Sequence, residues 1–519
     1  MQQMTSDAAP ARPSLDEVPE VYRDRISDLF DTWDHVKPRN RMLTRYYTMK
    51  NDIELLSPSI PEQFQNVAAV VGWASKAVHA HSGRSVFDGF VFEGRGDDSL
   101  DALVRRNRLR TLVSQATISS LVHGVAAFTV MRGAPGQPPV KVRSYSANQF
   151  SAIWDKDADR IACGVVLSDV DRWGRARRYT VHMPDAVLEL TRYEDALGGE
   201  RWACAVEHHK MGRPMMEVMA NDPDPDRPMG HSMLTPELIG IINKAMRDVL
   251  RMDIGAEFFT FPQRWAVGVE DSIFSAPLPE GTLTDEDGDP VDGDGNKLSR
   301  PQLDALKWKA YVGAIWAFTR DENGDVPTLG QFPAADASSF TAVFENDAQR
   351  FSGATNVPLA QLGVLSNTYT SSDALGAAND PLILEVEQMN RRNAEALEEV
   401  ARMMMAVREG VPLDALDERS ANVQAYYRDP SMPTIAARAD AWTKLAGADK
   451  SIVSTRVYYE GVGLSQATID RLMAEKEQVS AISALDSIAK AVAVKGATSD
   501  GGQPNDGPDE SPDGDGDGR

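Results

Sequence analysis

The sequence predicts an α+β chain, mainly helical, divided into several regions. Three observations carry that expectation. The 519 residues are 42% hydrophobic, enough apolar surface for more than one core. Apolar residues recur at helical spacing over most of the length, except from 140 to 220, where apolar and polar residues alternate between turn signals. Clusters of proline, glycine and aspartate, at "NDPDPDRP" (221–228), "EDGDPVDGDGNK" (286–297) and the last twenty residues, separate the segments.

Residues 1–40 are polar and contain proline, and are expected to form an arm. A helical region begins with "MLTRYYTMKNDIELL" (42–56) and includes "NVAAVVGWASKAVHAH". After the strand-like "SVFDGFVFEG" comes a second helical block, "LDALVRRNRLRTLVSQATISSLVHGVAAFTVMRG", in which Leu100, Leu103, Leu109, Leu112 and Val113 share helical spacing. Between 140 and 220, turn signals such as Trp173-Gly174 and Gly198-Gly199 predict antiparallel strands.

Beyond the first linker, Thr235 is placed to cap a helix, with Pro236 at its first position and Glu237 at its positive start. Leu238, Ile242, Ala245, Val249, Met252, Ala256 and Phe259 lie on one face, and Ile239, Met246, Leu250 and Phe258 make the other side partly apolar. A helix of ~25 residues would be ~38 Å long, and two apolar sides imply neighbours on both. After Pro262, short strands, an acidic loop and one short helix are expected. Helical character returns at "DASSFTAVFENDAQRFSGATNVP", where Phe340, Phe344, Ala348 and Phe351 share a face. A small module is thus inserted between two helices.

The stretch "GATNVPLAQLGVLSNTYTSSDAL" (353–375) follows, small, polar and uncharged through most of its length. A long helix comes next, "SDALGAANDPLILEVEQMNRRNAEALEEVARMMMAV" (372–407), with Leu382, Val386, Leu397, Val400, Met404 and Val407 as apolar positions. Past Gly410, "VQAYYRDPSMPTIAARADAWTKLAGA" and "VSTRVYYEGVGLSQATIDRLMAEKEQ" predict a short strand and a compact helical domain. The Gly/Asp/Pro tail, 497–519, cannot repay ordering entropy and is expected to be disordered.

Charge bounds the partners. With 54 basic and 77 acidic residues the net charge is −23. The last twenty residues hold six Asp, one Glu and one Arg, or −6, which leaves −17 on the body. Phosphate neutralisation supplies most non-specific DNA affinity, so tight bulk binding of nucleic acid is not expected. No stretch approaches the roughly 18 to 20 apolar residues of a membrane span, and the polar start lacks a signal-peptide core. A soluble product without membrane association, made in a cytoplasm, is the expectation. Cys163 and Cys204 are too few for a disulfide framework and read as reduced structural thiols.

Catalytic signals are poor. There is no phosphate-cradling loop. "GHSML" (230–234) offers Ser232 without the second glycine of a nucleophile elbow, so a capping serine is the better reading. In "EDGDPVDGDGNK", Pro290 and Lys297 fall where a calcium loop cannot use them. His79 with His81, and His208 with His209, lack a third ligand by sequence. No cofactor, no metal site and no catalytic residue is expected.

The order of segments resembles that of the portal proteins of long-tailed bacteriophages. The matching pieces are "LTRYYTMKNDI", "GFVFEG" with "NRLRTLVSQATISSLVHGVAAFTVMRG", "MGHSMLTPELIGIINKAMRDVLRMDIGAEFFTFPQRWAVGV", "GATNVPLAQLGV" with "SSDALGAANDPLILEVEQMN", and "VQAYYRDPSMPTIAARADAWTKL". The resemblance covers about residues 40 to 450. It implies a homo-oligomeric ring, a dodecamer, at one capsid vertex around a channel for double-stranded DNA, which is held without sequence preference. It also implies partners: the large terminase subunit, the major capsid protein and scaffold, and a head-tail adaptor. The site would be the virion, with assembly in the host cytoplasm.

Carried onto this chain, the portal fold places the wing at 41–232, the first stem helix at 233–261, the clip at 262–333 and the second stem helix at 334–357. The channel loop follows at 358–372, a long wing helix at 373–410 and the crown at 411–496. The DNA-facing residues implied are Gly363, Val364, Leu365, Ser366, Asn367, Thr368, Tyr369, Thr370, Ser371 and Ser372. Small hydroxyl and amide groups can brush phosphates without trapping them, with Val364, Leu365 and Tyr369 as apolar bumpers. Leu238, Ile242, Val249, Met252, Phe259, Phe340, Phe344 and Phe351 are the expected stem surface between subunits. The acidic segment 285–294 and the tail match nothing in the family pattern. Two rival readings are another head or tail subunit, such as a capsid or adaptor protein, and a hydrolase using Ser232.

Overall fold

The computed structural model describes residues 12–52, 69–92, 98–195, 198–259, 264–267, 328–331, 338–364, 376–431, 435–464 and 468–479, with the isolated positions 283, 291, 297 and 482. Two compact units divide between Ser431 and Met432.

In the first unit, helix α1 spans Glu20–Tyr47. The expected arm therefore contains most of a helix. Tyr22, Ile26, Leu29, Phe30 and Trp33 form its buried stripe, and Pro38 lies inside it, where the sequence reading placed only an arm. Helix α2 (Trp73–Ser82) and strand β1 (Phe87–Phe92) follow. The second helical block divides into α3 (Asp98–Asn107) and α4 (Leu109–His123), broken at Arg108, whose φ is 53°. Its end is not helical: Gly124, at φ 104°, closes α4, and Val125–Arg132 becomes strand β2. Hydrogen-bonding neighbours on both sides outweigh whatever helical preference this alanine-containing run has.

The alternating region yields the expected antiparallel strands. These are β3 (Val140–Ser146), β4 (Phe150–Asp155), β5 (Arg160–Val170), β6 (Ala176–His182), β7 (Ala186–Glu194), β8 (Glu200–His208) and β9 (Met216–Ala220). Strands β4 to β8 pair in sequence order as a five-stranded meander, and β3-β2-β9 form a second sheet. Helix α1 covers one face of the meander, its aromatic stripe packing on Tyr179, Val181, Leu188, Leu190 and Trp202. A fully buried leucine or phenylalanine contributes about 1.5–3 kcal/mol, so this stripe is enough to fix α1 in place. The opposite face meets the three-stranded sheet through Ala127, Tyr145, Ala152, Val166, Met216 and Val218. A Cβ on Gly164 would collide with the Met216 sulfur, so glycine permits this approach.

Helix α5 runs Pro236–Phe259 and ends where strand β10 (Arg264–Val267) is about to begin. Strand β11 (Thr328–Gln331) pairs antiparallel with β10 before helix α6 (Ser338–Thr355). The inserted module is thus tied at its neck. Within it, Val291 bridges Lys297; the rest of the acidic segment 285–294 lies outside the described residues. Helix α7, Asp380–Glu409, joins two cores. Leu382, Val386 and Met389 pack with α2, α4, α5 and α6, whereas Leu397, Val400 and Met404 pack with β1, β2 and α3.

The first unit continues past 411, where the sequence expectation begins the crown, as far as Ser431. A short helix α8 (Glu418–Ala421) leads into β12 (Val423–Tyr427), which pairs with β1 and buries Val423 in the first unit. The second unit holds α9 (Ile435–Ala448), α10 (Arg456–Val462) and a helix over 468–479. In it, Trp442 and Tyr458 meet edge to face at 6.1 Å. The tail lies outside the described residues.

Candidate functional site

The expected stem helices do pack on each other, and their contact is both apolar and charged. Leu238 and Ile242 of α5 and Phe351 of α6 belong to one core with Trp73 of α2 and Leu382 of α7. Phe351 and Phe344 flank the Trp73 ring at 5.4 and 5.1 Å. Lys244 reaches Asp347 at 2.6 Å across the pair, and Asp347 is wholly buried. Arg251 donates to the buried Asp248 at 2.8 Å. The helix begins as its sequence dictates: Thr235 Oγ1 accepts from the Leu238 N–H at 3.4 Å.

The expected subunit surface therefore divides. Leu238, Ile242 and Phe351 are filled by the chain's own elements, and Val249 and Phe344 are partly buried against the same core. Met252 and Phe340 are half-buried and Val343 is exposed. These three sit toward the ends of α5 and α6 that lead into the inserted module. The side chain of Phe259 lies outside the described residues.

Of the expected channel loop, Gly363 and Val364 are described, while Leu365, Ser366, Asn367, Thr368, Tyr369, Thr370, Ser371 and Ser372 are not. Gly363 takes φ 83°, a left-handed turn that closes the short 3-10 helix Leu359–Leu362. Val364 packs against the core of α2, α5 and α6 and so anchors the start of the loop. The base is pinned by side chains that the sequence reading did not single out. Asn356, left-handed at φ 54°, donates to Glu385 at 3.0 Å. Gln361 donates to Asn379 at 3.3 Å, joining the two sides of the loop, and Arg84 donates to the same Asn379 oxygen at 3.0 Å. Buried His81 lies 3.2 Å from Glu385. Burial alone would raise the Glu385 carboxyl, but the His81 and Asn356 contacts and the nearby Arg392 charge bring it below the usual glutamate range. The signal was present as Asn356-Val357-Pro358 and Asn379-Asp380-Pro381, two helix boundaries that frame one loop.

The other candidates resolve as structural groups. Ser232 Oγ donates to the Val122 carbonyl at 2.6 Å and accepts from the Leu234 N–H at 3.0 Å, so its hydroxyl is committed as a cap. Cys163 and Cys204 are free, and burial pushes the Cys163 thiol up to about 11, which keeps it protonated. His79 meets the Tyr47 hydroxyl at 3.3 Å. Among the described residues no three His, Cys, Asp or Glu gather as a metal site, and no helix is long and apolar enough to cross a membrane.

Comparison with known proteins supplies the context for this arrangement. A family model described as phage portal protein, SPP1 Gp6-like, matches residues 26–481. The portal protein of Mycobacterium phage D29 is 25% identical over 483 residues, covering 91% of each chain. That of Mycobacterium phage L5 is 25% identical over 455 residues, covering 85% of each. Among solved structures, a chain of the "Neck of native GTA particle computed with C12 symmetry" overlaps at TM-score 0.38 and 13% identity, over 82% of this chain and 93% of that one.

Proposed function

The chain belongs to the SPP1 Gp6-like family of phage portal proteins, and from that premise we propose that it forms a closed homo-oligomeric ring, a dodecamer, at one capsid vertex. The family match decides against the capsid and adaptor readings, and the family is a structural one. In the proposed ring, α5 and α6 are the stem, the module between them is the clip, and 363–372 is the loop that meets double-stranded DNA. The observation that carries this reading is the neck of the inserted module: β10 and β11 pair directly between two mutually packed helices. A clip held on two stem staves needs that arrangement.

The loop then hangs from a fixed base. Gln361–Asn379 and Asn356–Glu385 hold its entry and exit to the helical core, so the segment between them can change without disturbing the fold. An uncharged loop on an acidic body gives phosphates no point of strong attachment, which suits a contact that must slide. The motor is external, a terminase docking at the clip, later replaced by a head-tail adaptor, with capsid protein and scaffold around the wing. The ring subunit is assembled in the host cytoplasm and retained in the virion.

Electron microscopy of the purified full-length protein tests the ring. Closed rings with a central hole are expected. Monomers or flat lattices at micromolar concentration would overturn it.

A further inference from the structure

Between the three-stranded and the five-stranded sheets of the first unit lies a crevice of about 820 Å³. Elsewhere the same two sheets close on each other through the apolar contact of Ala127, Tyr145, Met216 and Val218 with Val166, residues that do not line the crevice. Further along β3 the same sheet face turns cationic. Residues directly opposite in an antiparallel pair share a face, and the register sets Tyr145 against Ala127, Arg143 against Thr129 and Lys141 against Met131. The facing wall is the β6–β8 side of the meander, where Arg178 and Thr180 lie across from Thr191 and Glu189 of β7.

The lining is rich in donors that lack acceptors. Arg132, Lys141, Arg143 and Lys210 all line the crevice, and among the described residues none has a carboxylate at ion-pair distance. Arg178 Nε is buried without a partner, although its other end stands 3.9 Å from Glu189. His209 Nδ1 accepts from the Met211 N–H at 3.3 Å, so the neutral ring carries its proton on Nε2, and that atom too is buried without a partner. Against five cations stand three lining carboxylates, Asp169, Glu189 and Glu207. In a chain of net charge −23 this is a local reversal of sign.

The complement of such a lining is an anion that brings acceptors. Its shape and chemistry narrow the class. Duplex DNA is far too wide to reach donors buried between two sheets. Among the described residues no Phe, Tyr or Trp lines the crevice, which leaves a single strand of nucleic acid only the rings of His208 and His209 to stack on, a poor platform. A compact free polyanion would meet the three carboxylates and an apolar share that includes Met131, Met215 and Val187. An extended peptide fits all of these, because alternate side chains can offer carboxylates to one wall and apolar groups to the other. The backbone supplies a further argument. Among the described residues β8 is the edge of its sheet, and its end, Ala205–His208, lines the crevice together with 209–211, so an unpaired strand edge is presented there.

We propose that this crevice is a docking site for an extended segment of a partner protein in which acidic side chains alternate with apolar ones. The chain's own acidic stretches are poorer matches. Both 285–294 and 500–519 intersperse their carboxylates with glycine and proline, and proline removes the donor that strand pairing requires.

The test uses the full-length protein and fluorescein-labelled synthetic peptides read by anisotropy. The probes are a nonapeptide alternating glutamate and valine, the same peptide with lysine for glutamate, and a peptide of residues 500–519; inorganic phosphate and tripolyphosphate serve as competitors. The glutamate peptide should bind saturably and the lysine peptide should not. The double variant Lys141→Glu with Arg143→Glu should weaken binding at least about tenfold. Ala205→Trp, which narrows the crevice without changing its charge, should do the same. Unchanged melting curves in both variants separate loss of the site from loss of the fold. The proposal is overturned by absence of saturable binding up to about 1 mM, or by binding that both variants leave intact. Tighter binding of the tail peptide would overturn the assignment to a partner. Displacement by phosphate as effective as by unlabelled peptide would overturn the peptide class.

Discussion

The contact between α5 and α6 and the crevice between the two sheets treat charge in opposite ways. In the first, Asp347 and Asp248 are buried, and Oδ1 of each meets a cation of α5, Lys244 or Arg251, although Oδ2 of each has no partner among the described residues. In the second, Lys141, Arg143 and Lys210 stand without counter-ions beside an Arg178 whose Nε is buried and unpartnered. A buried charge without its partner costs several kcal/mol, so a pair completed within the chain marks a junction that folding must make. Cations left unpaired at a solvent-reachable wall cost little until something docks. The difference separates surfaces that hold the subunit together from surfaces free to hold something else.

The sharpest way to break that comparison is at Ile242. It is 1% exposed and packed among the chain's own helices, so Ile242→Asp should unfold the first unit, a loss of about 4 kcal/mol or more, with no native melting transition. Val343, 41% exposed on α6, is the contrasting probe. Val343→Asp should leave the melt within about 0.5 kcal/mol of the parent, yet lower ring yield in mass photometry if the stem surface between subunits lies there.

Next in size is the charged junction. Lys244→Met strands Asp347, and the expected cost is about 3 kcal/mol in urea unfolding, with much of it recovered in the double variant with Asp347→Leu. The corresponding crevice variant, Lys141→Glu with Arg143→Glu, should change stability by less than about 0.5 kcal/mol. Equal costs at the two places would remove the distinction.

Acid should act on the interior of the first unit. Burial brings His123 down to about 4 and His182 to about 3, and lowers His209 as well. The unfolded chain takes up these protons near pH 6.5, whereas the folded chain resists them. Their contribution is therefore full above about pH 6.5 and lost as pH falls toward 4. For His123 alone the loss by pH 5 is on the order of 2 kcal/mol. Glu385, held below its usual range, adds a second loss as pH falls below about 4.3. Melting temperature against pH checks this, and His123→Asn should flatten the upper part of the curve.

The smallest effects belong to the loop. Deleting Leu365 to Thr370 should leave the melting temperature within about 1 °C, because the base held by Gln361, Asn379 and Asn356 is untouched. Packaging into empty capsids, read by nuclease protection, should fail or leak. Full packaging would make the loop a plain connector.

Much of this was legible in the sequence. Thr235-Pro236 marked the start of α5, the apolar positions from Leu382 to Met404 marked α7, and alternation from 140 to 220 marked a sheet. Each is a local property: a cap, a helical stripe and a two-residue period act on their own neighbours. Other features waited for long-range contacts. The run 20–40 became helix because the meander offered Tyr22, Ile26 and Trp33 a surface to cover. Residues 125–132 became a strand because β3 and β9 lay on either side. Strand β12 joined the first unit because β1 was unpaired there.

By itself, then, the sequence determined where the chain turns, which stretches can be helix or strand, its charge, and a family resemblance borne out over residues 26–481. Tertiary structure alone decided which apolar faces are already occupied within one subunit and which charged groups have found partners. Those are properties of pairs of residues distant in sequence, such as Lys244 with Asp347 or Gln361 with Asn379 joining the sides of a loop. No local period encodes them. They arise only when packing brings two segments together and the cost of burying an unpaired group selects the arrangement that persists.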